Sequence, residues 1–366
     1  MHQLARRIGI FLLVICSPTA TLADLTIESL IAEAGLREGP VAMRDVPGWR
    51  PPQKIVVRTL PGLSLTLDKG ISGVALVQVS SPAEVLAEAH DADGIIGVCN
   101  PEIAAAARQA VWIQQYGAGA ERCLSAPEIA SGRIVMTNMQ KMSSPVIAEH
   151  AIAMMLGLGR GIPQYAKAMR SGSWDRRPDS FSMMSFDGKT MLVVGLGGIG
   201  TETAKRAAGL GMTVYGTRNR SREGPDYVEY VGLSDELFEL AGKADVIVNA
   251  LPLTTATRGL FNSDFFGAVK PGAYFINVAR GASVVTDDLI AALDSGQLAG
   301  AGLDVTDPEP LPPNHPLWQM QNVIITPHVS SAGRERKRHQ LVAQENLRRF
   351  IAGDALLNVV DPARGY

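Results

Sequence analysis

The sequence predicts an α/β protein of two doubly wound parallel-sheet domains, one inserted into the other, and three observations carry that expectation. Short β-branched apolar runs alternate with helix-patterned stretches along most of the chain, as strands covered by helices on both faces do. The series restarts after an Ala, Met and Leu-rich stretch beginning at Pro145, which divides one sheet from the next. A closing helical stretch carries Leu341, Val342, Leu347 and Phe350 on one face, which would return to the first domain.

Composition supports a folded pair of domains. A chain of 366 residues suits two, and 46% hydrophobic against 19% charged residues excludes a disordered polymer. Lys plus Arg number 34 and Asp plus Glu 36, and no basic block could follow a phosphate backbone, so nucleic acid is excluded as a partner. Three cysteines without a CxxC make neither a disulfide scaffold nor a metal-ligand set.

In chain order, Arg6 and Arg7 precede the apolar run Ile8 to Ile15, then Pro18 and a small-x-small pattern ending at Ala23. Residues 1–23 therefore read as a secretory signal, too short for a stable membrane span. The chain is expected to be exported if that signal is used, and cytoplasmic if the true start lies downstream. Cys16 would leave with the signal. Cys99 and Cys123 read as small core residues, with a bridge between them left open.

Residues 24–50 form an N-terminal extension with a helix over Ile27 to Leu36, closed by Gly39-Pro40. Strands follow at Lys54 to Thr59, Ala75 to Val79, Gly94 to Val98 and Val111 to Tyr116, with helices at Pro82 to His90 and Pro101 to Ala110. A long helix from Pro145 to Gly157 continues toward Trp174 as the crossover. The second strand series is Thr190 to Val194, Thr213 to Thr217, Val246 to Ala250, Ala273 to Val278, Gly302 to Val305 and Val323 to Thr326. Six strands at this density match a doubly wound nucleotide-binding domain. A helix from Arg334 to Ile351 ends the fold. The boundaries expected are 51–150 with 330–366 for one domain and 151–329 for the other.

The strand Thr190 to Val194 runs into Gly195-Leu-Gly197-Gly198-Ile199-Gly200, and Thr201 to Leu210 then reads as a helix. In this setting GxGxxG implies a bound dinucleotide. Gly195 makes the turn, Gly197 lets the backbone approach a pyrophosphate, and Gly200 lets helix and strand touch. The next strand should end in a carboxylate if the ligand is NAD. It ends instead in Thr217-Arg218-Asn219-Arg220, whose forked cations suit a 2′-phosphate, so NADP(H) is preferred and NAD(H) remains open. Gly188-Lys189-Thr190 does not make an ATP loop, because Met183 stands where that motif needs Gly.

Acid–base residues were sought just beyond strand ends. Of six histidines, His328 follows the run Val323 to Pro327; Arg280 follows Tyr274 to Ala279, and Glu309 lies in Asp307-Pro-Glu-Pro-Leu311. Together with Asn277-Val-Ala-Arg-Gly281, Gly302-Leu-Asp-Val305, His315-Pro-Leu-Trp318 and Asn322 to His328, these resemble the D-isomer-specific 2-hydroxyacid dehydrogenases in order and approximate spacing, from about residue 54 to 360. The resemblance implies a Rossmann cofactor domain inserted into a flavodoxin-like substrate domain. It also implies catalytic Arg280, Glu309 and His328, and cofactor contacts at Pro252, Thr257, Val278, Ala279 and Asp304, the last orienting the nicotinamide. Tyr116, Gly117, Ala118 and Gly119 would hold the substrate carboxylate with Arg280.

The activity implied is reduction of a small 2-keto acid to a D-2-hydroxy acid, with His328 giving the proton, so that the preferred pH differs between directions. Arg218 in place of the acid resembles the glyoxylate and hydroxypyruvate reductase branch. The family's acidic residue after the Gly-x-Gly loop reads as absent, with Glu121 and Arg122 nearby, and Asn138 to Ser144 lacks a Pro-Gly turn. A homodimer is expected, with the helix Pro145 to Gly157, apolar on more than one face, at the interface. The competing reading is a dinucleotide-binding sensor or corepressor-like protein on the same fold.

Overall fold

The computed structural model describes residues 25–176, 183–333 and 336–365. The signal reading lies outside them. A helix, Ile27–Ala34, opens the described chain. Thr26 caps its start, and Gly35 ends it in the left-handed region at φ 57°. Next comes β1 (Glu38–Ala42), which the Gly-Pro sequence had hidden and which pairs antiparallel with the last strand, β14 (Ala355–Leu357). The extension is thus tied to the C-terminus.

The first sheet comprises β2 (Lys54–Arg58), β3 (Ala75–Val79), β4 (Gly94–Ile96), β5 (Trp112–Gln114) and β6 (Val135–Thr137). All pairs are parallel in the order β3-β2-β4-β5-β6, which is the flavodoxin-like winding. The sequence reading lacked β6. The second sheet contains β7 (Thr190–Val194), β8 (Thr213–Thr217), β9 (Tyr230–Gly232), β10 (Val246–Asn249), β11 (Ala273–Asn277), β12 (Leu298–Leu303) and β13 (Val323–Ile325). Its order, β13-β12-β11-β10-β7-β8-β9, is the Rossmann winding, with seven strands where six were expected.

Along β7, Leu192 and Val194 face one apolar layer with Phe261, Phe265 and Phe275, while Met191 and Val193 face another with Met155 and Ala204. Both faces are therefore dry, as the continuous apolar run required. The helix Ser144–Gly159 lies on the second face against the helix Gly198–Gly209. Much of its apolar surface is covered by this chain, leaving Glu149 and Ala153 exposed and Pro145, Val146, Ile147 and Leu156 partly so. Gly161, at φ 65°, then breaks the run, and Ile162–Arg170 follows as a separate helix. The helix Arg336–Ala352 returns to the first sheet, placing Val342, Leu347 and Phe350 against Ile55, Val57 and Trp112.

Candidate active site

Parallel winding puts all the loops that matter on one edge, because each strand of the second sheet ends at its carboxyl side before the chain crosses back. Arg280 follows β11, Asp304 follows β12 and His328 follows β13, three adjacent strands. A buried amide network fixes the first of these loops. Asn249 Nδ2 donates to Asn277 Oδ1 at 3.1 Å and to Ser283 Oγ at 2.8 Å, while Asn277 Nδ2 and Ser283 Oγ donate to the Arg280 carbonyl at 3.1 and 2.7 Å. Asn249 and Ser283 escaped the sequence reading, since a buried polar residue at a strand end looks like any loop polar residue until its partners are seen.

His328 has φ 54°, strained for a residue with a side chain. Its N–H donates to the Asp304 carbonyl at 2.7 Å, and its Nδ1–H donates to Glu309 Oε1 at 2.7 Å. Both side chains remain about half exposed. That bond leaves Nε2 as the free end of the imidazole, and a ring fixed at one nitrogen can exchange a proton at the other.

Asp304 sits beneath this loop with its carboxylate wholly occluded. It accepts from Thr326 Oγ1 at 2.7 Å, Val329 N–H at 2.8 Å and Ser330 N–H at 3.0 Å. Thr326 Oγ1 in turn accepts from His150 Nε2–H at 2.8 Å. Burial pushes the Asp304 carboxyl upward, but the hydrogen bonds from Ser330, Thr326 and Val329 outweigh it and hold the group below its ordinary value. The structure thus gives Asp304 the task of bracing the His328 loop, and leaves it no open surface for the nicotinamide contact expected of it.

Across the cleft, the loop after β5 ties its carbonyls to the rest of its domain and leaves its amides free. The Gly117 carbonyl accepts from Met139 N–H at 3.1 Å, the Ala118 carbonyl from Asn138 Nδ2 at 2.7 Å and the Gly119 carbonyl from Gln115 Nε2 at 2.6 Å. In a trans peptide the N–H opposes the C=O, so the amides of Ala118, Gly119 and Ala120 point the other way. None of them meets an acceptor among the described residues. Three neighbouring N–H groups without an acceptor suit a carboxylate. Tyr116, expected in the same site, instead turns inward: it is buried against Gly97 and Arg58, its hydroxyl has no partner, and burial pushes its phenol up.

Arg280 reaches this loop. Its Nε lies 3.0 Å from Glu121 Oε1, and Nη1 donates to the Ala279 carbonyl at 2.7 Å. A methyl group on Gly119 would overlap Arg280 Nη2, so a larger residue there would have to displace the guanidinium, while the glycine's own backbone makes no such demand. Glu121, which the sequence places near this loop without a role, pairs here with Arg280 from the other sheet.

The dinucleotide turn has the shape its motif requires. Gly195 takes φ 98°, and a Cβ at Gly200 would overlap the Gly195 carbonyl, so helix and strand touch. A Cβ at Gly197 would meet nothing within 4 Å, leaving room at the helix start for a pyrophosphate. Ile199, in the first turn, packs partly buried on the β7 layer. Thr217 is buried and its Oγ1 accepts from Gly195 N–H at 3.1 Å, so it holds the turn and does not face a ligand. Arg218 has a buried Nε with no partner, while Asn219 and Arg220 are exposed beyond it. Pro252 and Thr257 close the loop after β10, the threonine Oγ1 donating to the Pro252 carbonyl at 2.7 Å; Val278 and Ala279 are buried beside Arg280. An open anion-ready turn next to an orphaned guanidinium nitrogen fits a dinucleotide.

Residues 152–330 match the profile of the D-isomer specific 2-hydroxyacid dehydrogenase, NAD binding domain. The chain is 33% identical over 322 residues to a glyoxylate reductase of Thermofilum pendens, covering 84% of this chain and 94% of that protein. It is 39% identical over 215 residues to the human glyoxylate reductase/hydroxypyruvate reductase, covering 57% and 64% of the two chains. An NADPH-dependent glyoxylate/hydroxypyruvate reductase from Sinorhizobium meliloti, solved with NADP and sulfate, superposes with a TM-score of 0.73 at 26% identity, covering 86% of this chain and 100% of that one. With the windings of both sheets, these likenesses place the chain in the D-isomer-specific 2-hydroxyacid dehydrogenase family.

Proposed function

We propose that this enzyme uses NADPH to reduce a small 2-keto acid, of the size of glyoxylate or hydroxypyruvate, to the D-2-hydroxy acid. The observation that carries the reading is the His328–Glu309 pair, 2.7 Å apart, on the strand-end edge that also presents Arg280. A sensor would have no use for that pair. The amides of Ala118, Gly119 and Ala120 with Arg280 hold the substrate carboxylate and aim its carbonyl. Bound reduced nicotinamide supplies the hydride to the carbonyl carbon. As charge grows on the oxygen, Arg280 stabilises it and His328 Nε2 delivers the proton, with Glu309 fixing the ring.

Arg218, with no carboxylate at the end of β8, supports NADPH over NADH. We further propose a homodimer in which the face carrying Ile162, Met169 and Trp174, where Trp174 is 91% exposed, takes part. Loss of NADPH absorbance, and separately of NADH, with a panel of glyoxylate, hydroxypyruvate, pyruvate and phenylpyruvate tests the function. Faster turnover with NADPH is expected. Tight NADPH binding without turnover on any of them would favour the sensor.

A further inference from the structure

Lys141 stands beside the dinucleotide turn, between the segment carrying Arg37 and the end of β8 carrying Arg218, and feels the charge of both. Lys141 lies on the turn between β6 and the helix Ser144–Gly159, pressed against the start of the helix Gly198–Gly209: a Cβ at Gly198 would come 2.9 Å from Lys141 Cγ and 3.3 Å from its Cα. Its backbone is in the left-handed region at φ 71°, where a side chain costs roughly 1 kcal/mol. The ammonium donates to the Gly35 carbonyl at 2.5 Å and so stretches toward the segment that carries Arg37. Burial, and then repulsion by Arg37 and Arg218, holds it below the usual lysine value.

None of Arg37, Lys141 and Arg218 pairs with a carboxylate among the described residues, and Arg218 Nε is buried without any acceptor. Cations repel a half-buried ammonium unless an anion joins them. The neighbouring helix start, open at Gly197, favours an anion at the same place.

We propose that Lys141 and Arg37 complete, with Arg218, a phosphate site that receives a phosphate group of the dinucleotide, so that the N-terminal segment and the β6 turn take part in cofactor binding. This rests on the reading that the Gly195–Gly200 turn holds NADP(H). The phosphate is either the 2′-phosphate or the pyrophosphate, and both present the same anionic oxygens to the three cations.

The test is a fluorescence titration of the full chain with NADPH and with NADH, in wild type, Lys141→Gln and Arg37→Gln, at two salt concentrations. Glutamine keeps a donor for the Gly35 carbonyl. A lost charge-assisted hydrogen bond should weaken NADPH binding about tenfold and flatten its salt dependence. A larger loss for NADPH than for NADH places the cations on the 2′-phosphate, and equal losses place them on the pyrophosphate; both support the proposal. Wild-type affinity and salt dependence in Lys141→Gln would overturn it. If Lys141→Gln melts early, Arg37→Gln decides, because that side chain is exposed and its removal leaves the fold untouched. Failure of the wild type to bind either dinucleotide would instead refute the reading of the turn.

Discussion

Replacing Gly119 with alanine tests how the two halves of the site depend on each other. The new methyl would overlap Arg280 Nη2, lie 2.8 Å from Glu121 Oε2 and lie 3.2 Å from Arg280 Cζ. Carbon and nitrogen settle at roughly 3.5 Å, so the guanidinium must withdraw by more than about 1 Å. A displacement of that size in a group that orients substrate and meets developing charge costs on the order of 100-fold in rate, or about 2.7 kcal/mol. The loop itself should hold, because its carbonyls are tied by Met139, Asn138 and Gln115 and not by the glycine. The assay is kcat/KM for keto acid reduction beside the NADPH dissociation constant and the melting temperature. Loss of kcat/KM with the other two unchanged is expected. Wild-type kcat/KM would refute the placement of Arg280 against the substrate loop.

Three further outcomes follow from the same geometry. Glu121→Gln frees the Arg280 guanidinium from its carboxylate partner, so KM for the keto acid should fall about two- to fivefold while kcat changes less, an effect that shrinks in high salt because both groups are about one-third exposed; a rise in KM would mean that Glu121 positions Arg280 for catalysis. Asp304→Ala leaves the Thr326, Val329 and Ser330 donors without their acceptor and should cost about 3 kcal/mol at neutral pH, read by denaturant unfolding. Because the folded carboxyl is held below its ordinary 3.8, its stabilisation is present above that value and is lost as pH falls through the folded one, so the gap between variant and wild type should close in acid. Met169→Lys with Trp174→Ala should shift the mass seen by light scattering from dimer toward monomer without lowering the melting temperature, since both side chains are largely exposed.

Legibility in the sequence followed locality. Thr190 to Val194, Thr213 to Thr217 and Ala75 to Val79 match the observed strand limits, each a five-residue run rich in β-branched and apolar residues; only the first is buried nearly throughout, and Gly195 ends it. β6 and β9 have three residues each, and β9, with Glu229 before it and Gly232 within it, has only Tyr230-Val231 as an apolar run to mark it. β1 contains Gly39-Pro40, which reads as a break, and is held by a partner strand more than 300 residues later. The site divides in the same way. Arg280 and His328 stand just beyond strand ends and Glu309 in a Pro-flanked loop, all inside recognisable motifs. The contact of Glu121 with Arg280, the brace of Asp304 under His328 and the nearness of Lys141 to Gly198 all join residues distant in sequence, and no spacing announces them. Thr217 and Tyr116 show the converse: a motif singles out the position, but it does not show that the side chain turns into the core.

The most direct test of the central claim is the steady-state reduction rate of His328→Gln, measured with its NADPH affinity on the same preparation. Loss of the proton donor should lower kcat/KM by about 100- to 10,000-fold with NADPH binding unchanged. A variant that reduces the keto acid at the wild-type rate would show that the His328–Glu309 pair does not carry the chemistry.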